Sequence, residues 1–176
     1  MNNEIRRRSN PAYFRCAFTG NRPQKMPFGF DEADPRCMDF KARLRDTIEE
    51  LIGQRYAHFI SGGAMGVDTF AAEIVLELKA LYPWIVLEMV SPFDGQAEKW
   101  SEDYKARHAR LFQEADIVTA TGHEYTRDCM FRRNRYLVHN ADLLLAAYDG
   151  KEGGTAMTVD YARKSGIDVR IMRPVL

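Results

Sequence analysis

Short runs rich in β-branched and aromatic residues alternate with longer stretches of helical periodicity. Such alternation is typical of βαβ units and of a mainly parallel sheet. The fifth run is continuously apolar, as expected of a central strand that helices cover on both faces. The pattern therefore predicts an α/β protein, a Rossmann-like three-layer sandwich with a mainly parallel central sheet. The predicted strands are residues 13–18, 58–60, 85–90, 117–120, 143–148 and 169–172.

Apolar stripes and end signals predict five helices. Asp34 and Pro35 suit the N-cap and the first position of the first helix, and Gly53 suits its end. Ser101 predicts the start of the third helix, whose first turn is acidic. The predicted helices are residues 35–53, 67–81, a third from 101, 127–140 and 155–164. The long irregular stretch 20–34 follows the first strand, and loops of this length are often functional lids.

Length and charge narrow the class of protein. The 176 residues suit one domain, and we predict a flexible N-terminal tail at residues 1–11 and a single domain at residues 12–176. Lysine plus arginine equals aspartate plus glutamate, with 25 of each, so the formal net charge is zero. A neutral chain has no long-range attraction to nucleic acid or to an anionic membrane.

Targeting and metal signals are weak. The N-terminal residues lack the apolar segment of a secretory signal, and the longest aliphatic stretch, residues 143–147, is too short to span a bilayer. The three cysteines lie far apart, and the four histidines show no metal-ligand spacing. We therefore expect a cytoplasmic protein with no membrane partner and no metal site.

The candidate sites are the strand-to-helix turns, because ligands of an open parallel sheet bind beyond the carboxyl ends of its strands. The first turn contains Thr19, Gly20 and Arg22. A glycine lets the backbone approach a ligand, and an arginine fork suits phosphate or carboxylate. The alternative is a plain turn with a solvated arginine.

The second turn contains Ser61, Gly62, Gly63 and Gly66 and leads into a helix at Asp68. Glycines at a helix start expose amides that can hold an anion. The Asp68 carboxylate would repel a phosphate there. Its role is either that of helix N-cap or that of an acceptor for ribose hydroxyls, and the sequence leaves both open.

A third turn and one helix complete the predicted site. Gly153 and Gly154 free the backbone, and Thr155 can cap the following helix and still face a phosphate. In the fourth helix, Asn134 lies on an otherwise apolar face and needs a partner. Asn134 and the neighbouring Arg133 either reach the pocket or belong to a solvated basic face.

Three carboxylates are candidates for catalysis: Asp68, Asp94 and Glu152. Each could steady an oxocarbenium-like transition state or position a water molecule. No Ser–His–Asp or Cys–His set can be proposed from spacing, because such sets assemble in space. The catalytic residues therefore remain unknown at this point.

The turns together resemble a known family. The motif Phe18-Thr19-Gly20-x-Arg22-Pro23 and residues 60–68, 91–96, 133–136 and 153–155 resemble the YpsA-like family of the SLOG superfamily, which is related to DprA and the Lonely guy proteins. The resemblance implies a bacterial protein with a Rossmann-like fold and a nucleotide-type ligand at the glycine turns. The Lonely guy enzymes have a catalytic glutamate where this chain has Thr158, and this difference argues against that activity.

We therefore expect binding or sensing of a nucleotide or nucleotide-derived ligand such as NAD or an ADP-ribose-like molecule, with no required cofactor. The alternative is a nucleotide-processing enzyme such as an N-glycoside (phosphoribo)hydrolase. DprA-like nucleic-acid binding is less favoured, because the chain is neutral and no strand interleaves aromatic with basic residues. Kinship with the superfamily suggests a homodimer.

Overall fold

The fold is known from a computed structural model, which describes residues 13–176. The predicted tail at residues 1–11 lies outside this part of the chain. The strands are β1 (Phe14–Gly20), β2 (Tyr56–Ser61), β3 (Val86–Ser91), β4 (Ile117–Ala120), β5 (Leu143–Ala147) and β6 (Asp168–Met172). The helices are α1 (Pro35–Gly53), α2 (Val67–Leu78), α3 (Glu102–Glu114), α4 (Cys129–His139) and α5 (Gly154–Lys164), and Pro23–Lys25 forms a single 3₁₀ turn.

The six strands form one parallel sheet in the order β4-β3-β2-β1-β5-β6. Helices α1, α2 and α3 contribute to the apolar core on one face, and α4 and α5 to the core on the other. The predicted α/β three-layer Rossmann-like arrangement is confirmed. The apolar fifth run forms β5, which is buried along its whole length.

Most of the predicted helices and strands are present, and they differ from the prediction mainly in where they begin and end. The Asp34 side chain caps α1 by accepting a hydrogen bond from the Arg36 amide at 2.8 Å. The second helix ends at Leu78 rather than Leu81, because the chain closes into a turn in which the Leu81 amide donates to the Leu78 carbonyl at 3.0 Å. Leu81 is exposed, so its place on the apolar stripe is not used for packing.

The strand order reverses direction between β1 and β5, and this reversal positions the site. The helix that follows β1 covers one face of the sheet, and the helix that follows β5 covers the other. A crevice forms at the carboxyl ends of such a pair of strands. Gly20 closes one side of it, since a Cβ atom there would lie 2.5 Å from the Val67 Cβ atom at the start of α2.

None of the helices within residues 13–176 is long and apolar enough to cross a membrane. The same residues contain no group of three or more histidine, cysteine, aspartate or glutamate side chains that could hold a metal ion.

Candidate ligand-binding cleft

A cavity of about 330 Å³ lies at the reversal between β1 and β5. It brings together the first turn, the start of α2, one face of α4 and the start of α5. Its lining residues are Thr19, Gly20, Asn21, Arg22, Gln24, Lys25, Ala64, Asp68, Met130, Arg133, Asn134, Leu137, Gly154 and Thr155. Eight of these fourteen are residues that the sequence analysis proposed: Thr19, Gly20, Arg22, Asp68, Arg133, Asn134, Gly154 and Thr155.

A second cavity of about 570 Å³ adjoins the first, and the two share Asn21, Gln24, Lys25 and Thr155. Gly153 and Glu152 line this larger cavity. The two cavities therefore form one cleft with two lobes, which we call the switch-point cleft. The segment that starts α5 borders both lobes.

The irregular segment after β1 forms one wall of the cleft and is held at several points. Met26 and Phe28 are buried in the core beneath α1 and α2. Further along, the Glu32 carboxylate pairs with Arg107 of α3 and with Lys41 of α1. These contacts hold the segment in place against the cleft. They were not predicted from the sequence.

Two polar side chains, at the end of β1 and directly after it, have no protein partner. Thr19 and Asn21 are 7% and 6% exposed, and neither side chain forms a hydrogen bond with any residue from 13 to 176. No side-chain nitrogen or oxygen in that part of the chain is both fully buried and unbonded, so their polar atoms must open into the cleft. Buried polar groups normally have partners, and these two are therefore available to a ligand.

The start of α5 has the features of an anion site. Gly153 is its N-cap, and no side chain caps the helix, so the prediction that Thr155 could cap it is wrong. The amides of Gly154 and Thr155 have no hydrogen-bond partner among the described residues. The Lys25 ammonium lies so close that a Cβ atom at Gly153 would be 2.5 Å from its Nζ atom. Free amides and a cation together favour a bound anion.

Two cations line the cleft without a direct carboxylate partner, although Arg22 is close enough to Asp68 to favour its ionised form. Arg22 and Lys25 form no ion pair with any carboxylate of residues 13–176. Lys151 at the rim differs, because it pairs with Asp149 at 3.1 Å. Lys25 therefore adds positive charge at the start of α5, whereas Arg22 adds it beside Asp68 and Arg133.

The turn before α2 is arranged differently, because two of its amides are already bonded within the protein. The Gly63 amide donates to Ser61 Oγ at 3.2 Å, and the Ala64 amide donates to the Asp68 carboxylate at 3.3 Å. Gly66 is the N-cap of α2, so the interpretation of Asp68 as N-cap is wrong. Gly62, Gly63 and Gly66 do not line the 330 Å³ cavity. The start of α5 is therefore better suited to binding an anion than the start of α2.

Asp68 and Arg133 face the cleft from opposite layers of the molecule. They are 5% and 4% exposed, and no nitrogen of Arg133 lies within ion-pair distance of the Asp68 carboxylate. Arg133 donates instead to the Gly62 carbonyl and, through Nε, to Asn134 Oδ1 at 2.9 Å. Burial raises the pKa of Asp68 and lowers the pKa of Arg133. The partner that Asn134 was predicted to need is thus Arg133.

A second hydrogen bond holds the Gly62 carbonyl. Gln96, from the turn after β3, donates to it through Nε2 at 3.0 Å, and Gln96 Oε1 lies 3.1 Å from His108 Nε2. Burial lowers the pKa of His108, which favours a neutral ring that donates from Nε2. Gln96 and Arg133 therefore fix the turn after β2 from two sides.

The structure also contains a buried polar network that the sequence analysis missed. Glu88 of β3 accepts hydrogen bonds from Thr119 at 2.8 Å and from Tyr136 of α4 at 2.7 Å, and it lies 2.7 Å from His58 Nε2. Burial opposes ionisation of Glu88, but these hydrogen bonds outweigh it and lower its pKa from 4.5 to about 2. The network fastens α4, the helix that carries Arg133, to three strands.

The remaining predicted residues lie apart from the small lobe. Asp94 is exposed and contacts His123 at 3.2 Å, and it lines neither lobe of the cleft. Ser61 is buried and donates to the Asp68 carbonyl at 2.9 Å. Of the three carboxylates proposed for catalysis, Asp68 lies in the small lobe and Glu152 in the large one.

The model of the YspA SLOG family, YpsA, matches residues 16–171. The chain belongs to the YpsA family of SLOG proteins. A UPF0398 protein of Bacillus pumilus (strain SAFR-032) is 30% identical over 158 residues, which cover 89% of this chain and 84% of that protein. The SPbeta prophage-derived protein YoqJ of Bacillus subtilis (strain 168) is 31% identical over 153 residues, which cover 80% and 90%.

Solved structures of DNA processing protein A share the fold of this YpsA-family chain. The Helicobacter pylori protein superposes with a TM-score of 0.63 at 17% identity, covering 91% of this chain and 65% of that one. The Streptococcus pneumoniae protein superposes with a TM-score of 0.65 at 16% identity, covering 90% and 50%. This chain thus spans about two thirds and one half of the length of these DprA chains.

Proposed function

We propose that this YpsA-family protein binds a nucleotide or a nucleotide-derived ligand in the switch-point cleft. The observation that carries the proposal is the unsatisfied chemistry of the cleft. Free amides at Gly154 and Thr155, two unpaired cations and two unbonded polar side chains converge on connected cavities. Phosphate oxygens accept from amides and cations, and the polar side chains can bond the rest of such a ligand.

The size of the cleft agrees with this ligand class. Small-molecule pockets usually enclose about 300–1,000 Å³. The small lobe alone is at the lower end of this range, and the larger lobe continues beyond the anion site. A ligand with a phosphate or diphosphate at its centre, such as ADP-ribose or NAD, could therefore place one part in each lobe.

Isothermal titration of the full chain with AMP, ADP, ADP-ribose and NAD tests the proposal. We expect saturable binding of at least one of them, with competition by inorganic pyrophosphate at the start of α5. The variant Thr155→Pro removes one of the two free amides, and proline is tolerated in the first turn of a helix. It should weaken phosphate binding while the protein stays folded. Absence of binding by every nucleotide would contradict the proposal.

Single-stranded DNA is a second candidate ligand. The study of the Helicobacter pylori DprA structure, whose fold this chain shares, describes a single-stranded DNA binding mode. The unpaired Arg22 and Lys25 could contact a phosphodiester backbone as well as a free nucleotide. A fluorescence-anisotropy titration with a labelled oligonucleotide, repeated at rising salt, distinguishes the two, because DNA binding should weaken steeply with salt.

Hydrolysis of an N-glycosidic bond remains a further proposal, favoured by one feature. Asp68 is a buried carboxylate with a raised pKa in a cleft, and such groups are typical of acid–base catalysis. Incubation with nucleoside monophosphates and NAD, followed by chromatography for the free base, tests this activity. Product formation that Asp68→Asn leaves unchanged would remove Asp68 from the mechanism.

A further inference from the structure

The buried Asp68 carboxylate and the buried Arg133 guanidinium are opposite charges that do not touch. Asp68 comes from α2 on one face of the sheet, and Arg133 comes from α4 on the other. Both line the small lobe of the cleft, so the space between them is open to a ligand. The protein bonds each only partly: the Ala64 amide donates to Asp68, and Arg133 donates to the Gly62 carbonyl and to Asn134.

The two charges restrict what can occupy this space. A phosphate placed against Asp68 would be repelled by its carboxylate even though Arg133 and the neighbouring Arg22 attract it, and a cation would be repelled by both arginines. A neutral hydroxyl avoids this conflict, because its hydrogen is donated to the carboxylate while its oxygen accepts from the guanidinium. Two adjacent hydroxyls would use more of the donors and acceptors of the pair.

The position of the anion site identifies the molecule that carries these hydroxyls. The starts of α2 and α5 follow β2 and β5, which flank β1 and therefore lie two strand spacings apart, about 10 Å. Within a nucleotide, the sugar is the group attached to the phosphate. A phosphate at Gly154 and Thr155 can thus extend its ribose into the small lobe, which Asp68, Arg133 and the unbonded Thr19 hydroxyl line.

We propose that Asp68 and Arg133 together recognise the free 2′- and 3′-hydroxyls of a ribose, so that the ligand is a ribonucleotide rather than a deoxyribonucleotide or an internal segment of DNA. This inference rests on the proposed nucleotide function and adds the class of sugar. It also assigns Asp68 to ligand selection, separately from the amides and cations that hold the phosphate.

The test compares ligands that differ only in the sugar. Calorimetric titrations of the unmodified full-length protein use ADP, 2′-deoxy-ADP and 2′,3′-dideoxy-ADP, and the same three forms of GDP. We expect the dideoxy forms to bind at least about tenfold more weakly than the ribose forms, because a buried charged pair is left without its hydroxyl partners. No variant is needed for this comparison, so folding defects cannot obscure it.

Variants then assign the discrimination to the pair. Asp68→Asn keeps the shape of the side chain and should bring the ratio of ribose to dideoxy affinity close to one, while the affinity for inorganic pyrophosphate does not fall. Arg133→Lys keeps the charge but loses the planar fork, and it should reduce the same ratio. The matched control is Asp46→Asn on the exposed surface of α1, which should leave every affinity unchanged.

The outcomes distinguish failure of the ribose recognition from failure of the nucleotide function. Equal affinity for the ribose and dideoxy forms, with clear binding of both, overturns the hydroxyl recognition and leaves the nucleotide function standing. A ribose preference that persists in Asp68→Asn overturns the role of this residue. A failure of these six nucleotides and of AMP, ADP-ribose and NAD to bind overturns both proposals.

Discussion

Arg133 donates a hydrogen bond to the carbonyl oxygen of Gly62, and its guanidinium occupies the space that a side chain at position 62 would fill. The helix α4 can therefore approach the turn after β2 only because that position is glycine. This turn, whose glycine amides were predicted to be able to hold an anion, instead binds an arginine of the protein itself. Gly62 contributes to the cleft indirectly, because it leaves room for the Arg133 side chain, which lines the small lobe.

Replacing this glycine should displace the arginine. In Gly62→Ala, the added methyl group would overlap the Arg133 guanidinium, and we expect a loss of about 1–3 kcal/mol in the free energy of unfolding, as for other overpacked sites. Nucleotide affinity should fall together with stability. Urea denaturation and calorimetry measure the two effects. Gly53→Ala is the control, because nothing lies near a Cβ atom there, and its affinity should match that of the unmodified protein.

The lysine beside the start of α5 should contribute to phosphate affinity. Removing the cation in Lys25→Ala should weaken ADP binding by about tenfold, which corresponds to about 1.4 kcal/mol. The difference should shrink at high salt, since the contact lies at an open cleft. The exposed Lys99 offers a control with the same change of charge. If Lys99→Ala and Lys25→Ala weaken binding equally, the effect is one of net charge and not of this site.

The Glu88 network should make the free energy of unfolding depend on pH in the acidic range. The native pKa of Glu88 is about 2 instead of 4.5, so the network stabilises the fold fully above pH 4.5 and loses this stabilisation as the pH falls towards 2. Glu88→Gln should cost about 1–3 kcal/mol at pH 7, because it disrupts hydrogen bonds to a buried charge. The cost should shrink between pH 4.5 and 2 in urea titrations.

The exposed Glu124 provides the matched control for this network. Glu124→Gln should change the free energy of unfolding by little at any pH, as expected of surface substitutions. A Glu88→Gln cost that stays constant down to pH 2 would show that the loss comes from packing and not from ionisation.

Asp68 should lower stability at neutral pH, in contrast to Glu88. Burial raises its pKa above 3.8, so the native state binds this proton more tightly than the unfolded state does. Stability is therefore lost as the pH rises from 3.8 through the raised value. We expect Asp68→Asn to increase the melting temperature at pH 7 and to have little effect below pH 3.8. A lower melting temperature at pH 7 would mean that the carboxylate serves mainly to anchor the Ala64 amide.

The fold was predictable because each element has a local signal. The fourth strand lies at the residues that the sequence proposed, and α1 begins after the capping residue Asp34 and ends at Gly53. The overextension of α2 to Leu81 shows the limit of such signals. Periodicity identifies a residue that could pack, but whether a neighbour is there to receive it depends on the whole fold.

The candidate site was only partly predictable. Strand-to-helix turns can be recognised locally, so Thr19, Arg22 and Gly154 were expected at the cleft. The burial of Arg133 and the lack of a hydrogen bond to the Asn21 side chain depend on which face of the sheet each helix covers. No local sequence pattern contains this information. The Glu88 network is of the same kind, since His58, Thr119 and Tyr136 meet only when three strands and α4 assemble.

The two helical layers of this protein touch different sides of the sheet, yet each supplies one of the two buried charged groups that border the small lobe. A ligand bound to both Asp68 and Arg133 would therefore link the two helical layers at the carboxyl ends of the strands. Its arrival should slow amide hydrogen exchange in α2 and α4 together, although these helices belong to separate hydrophobic cores. Occupancy of the cleft would in this way be communicated to both outer surfaces of the molecule.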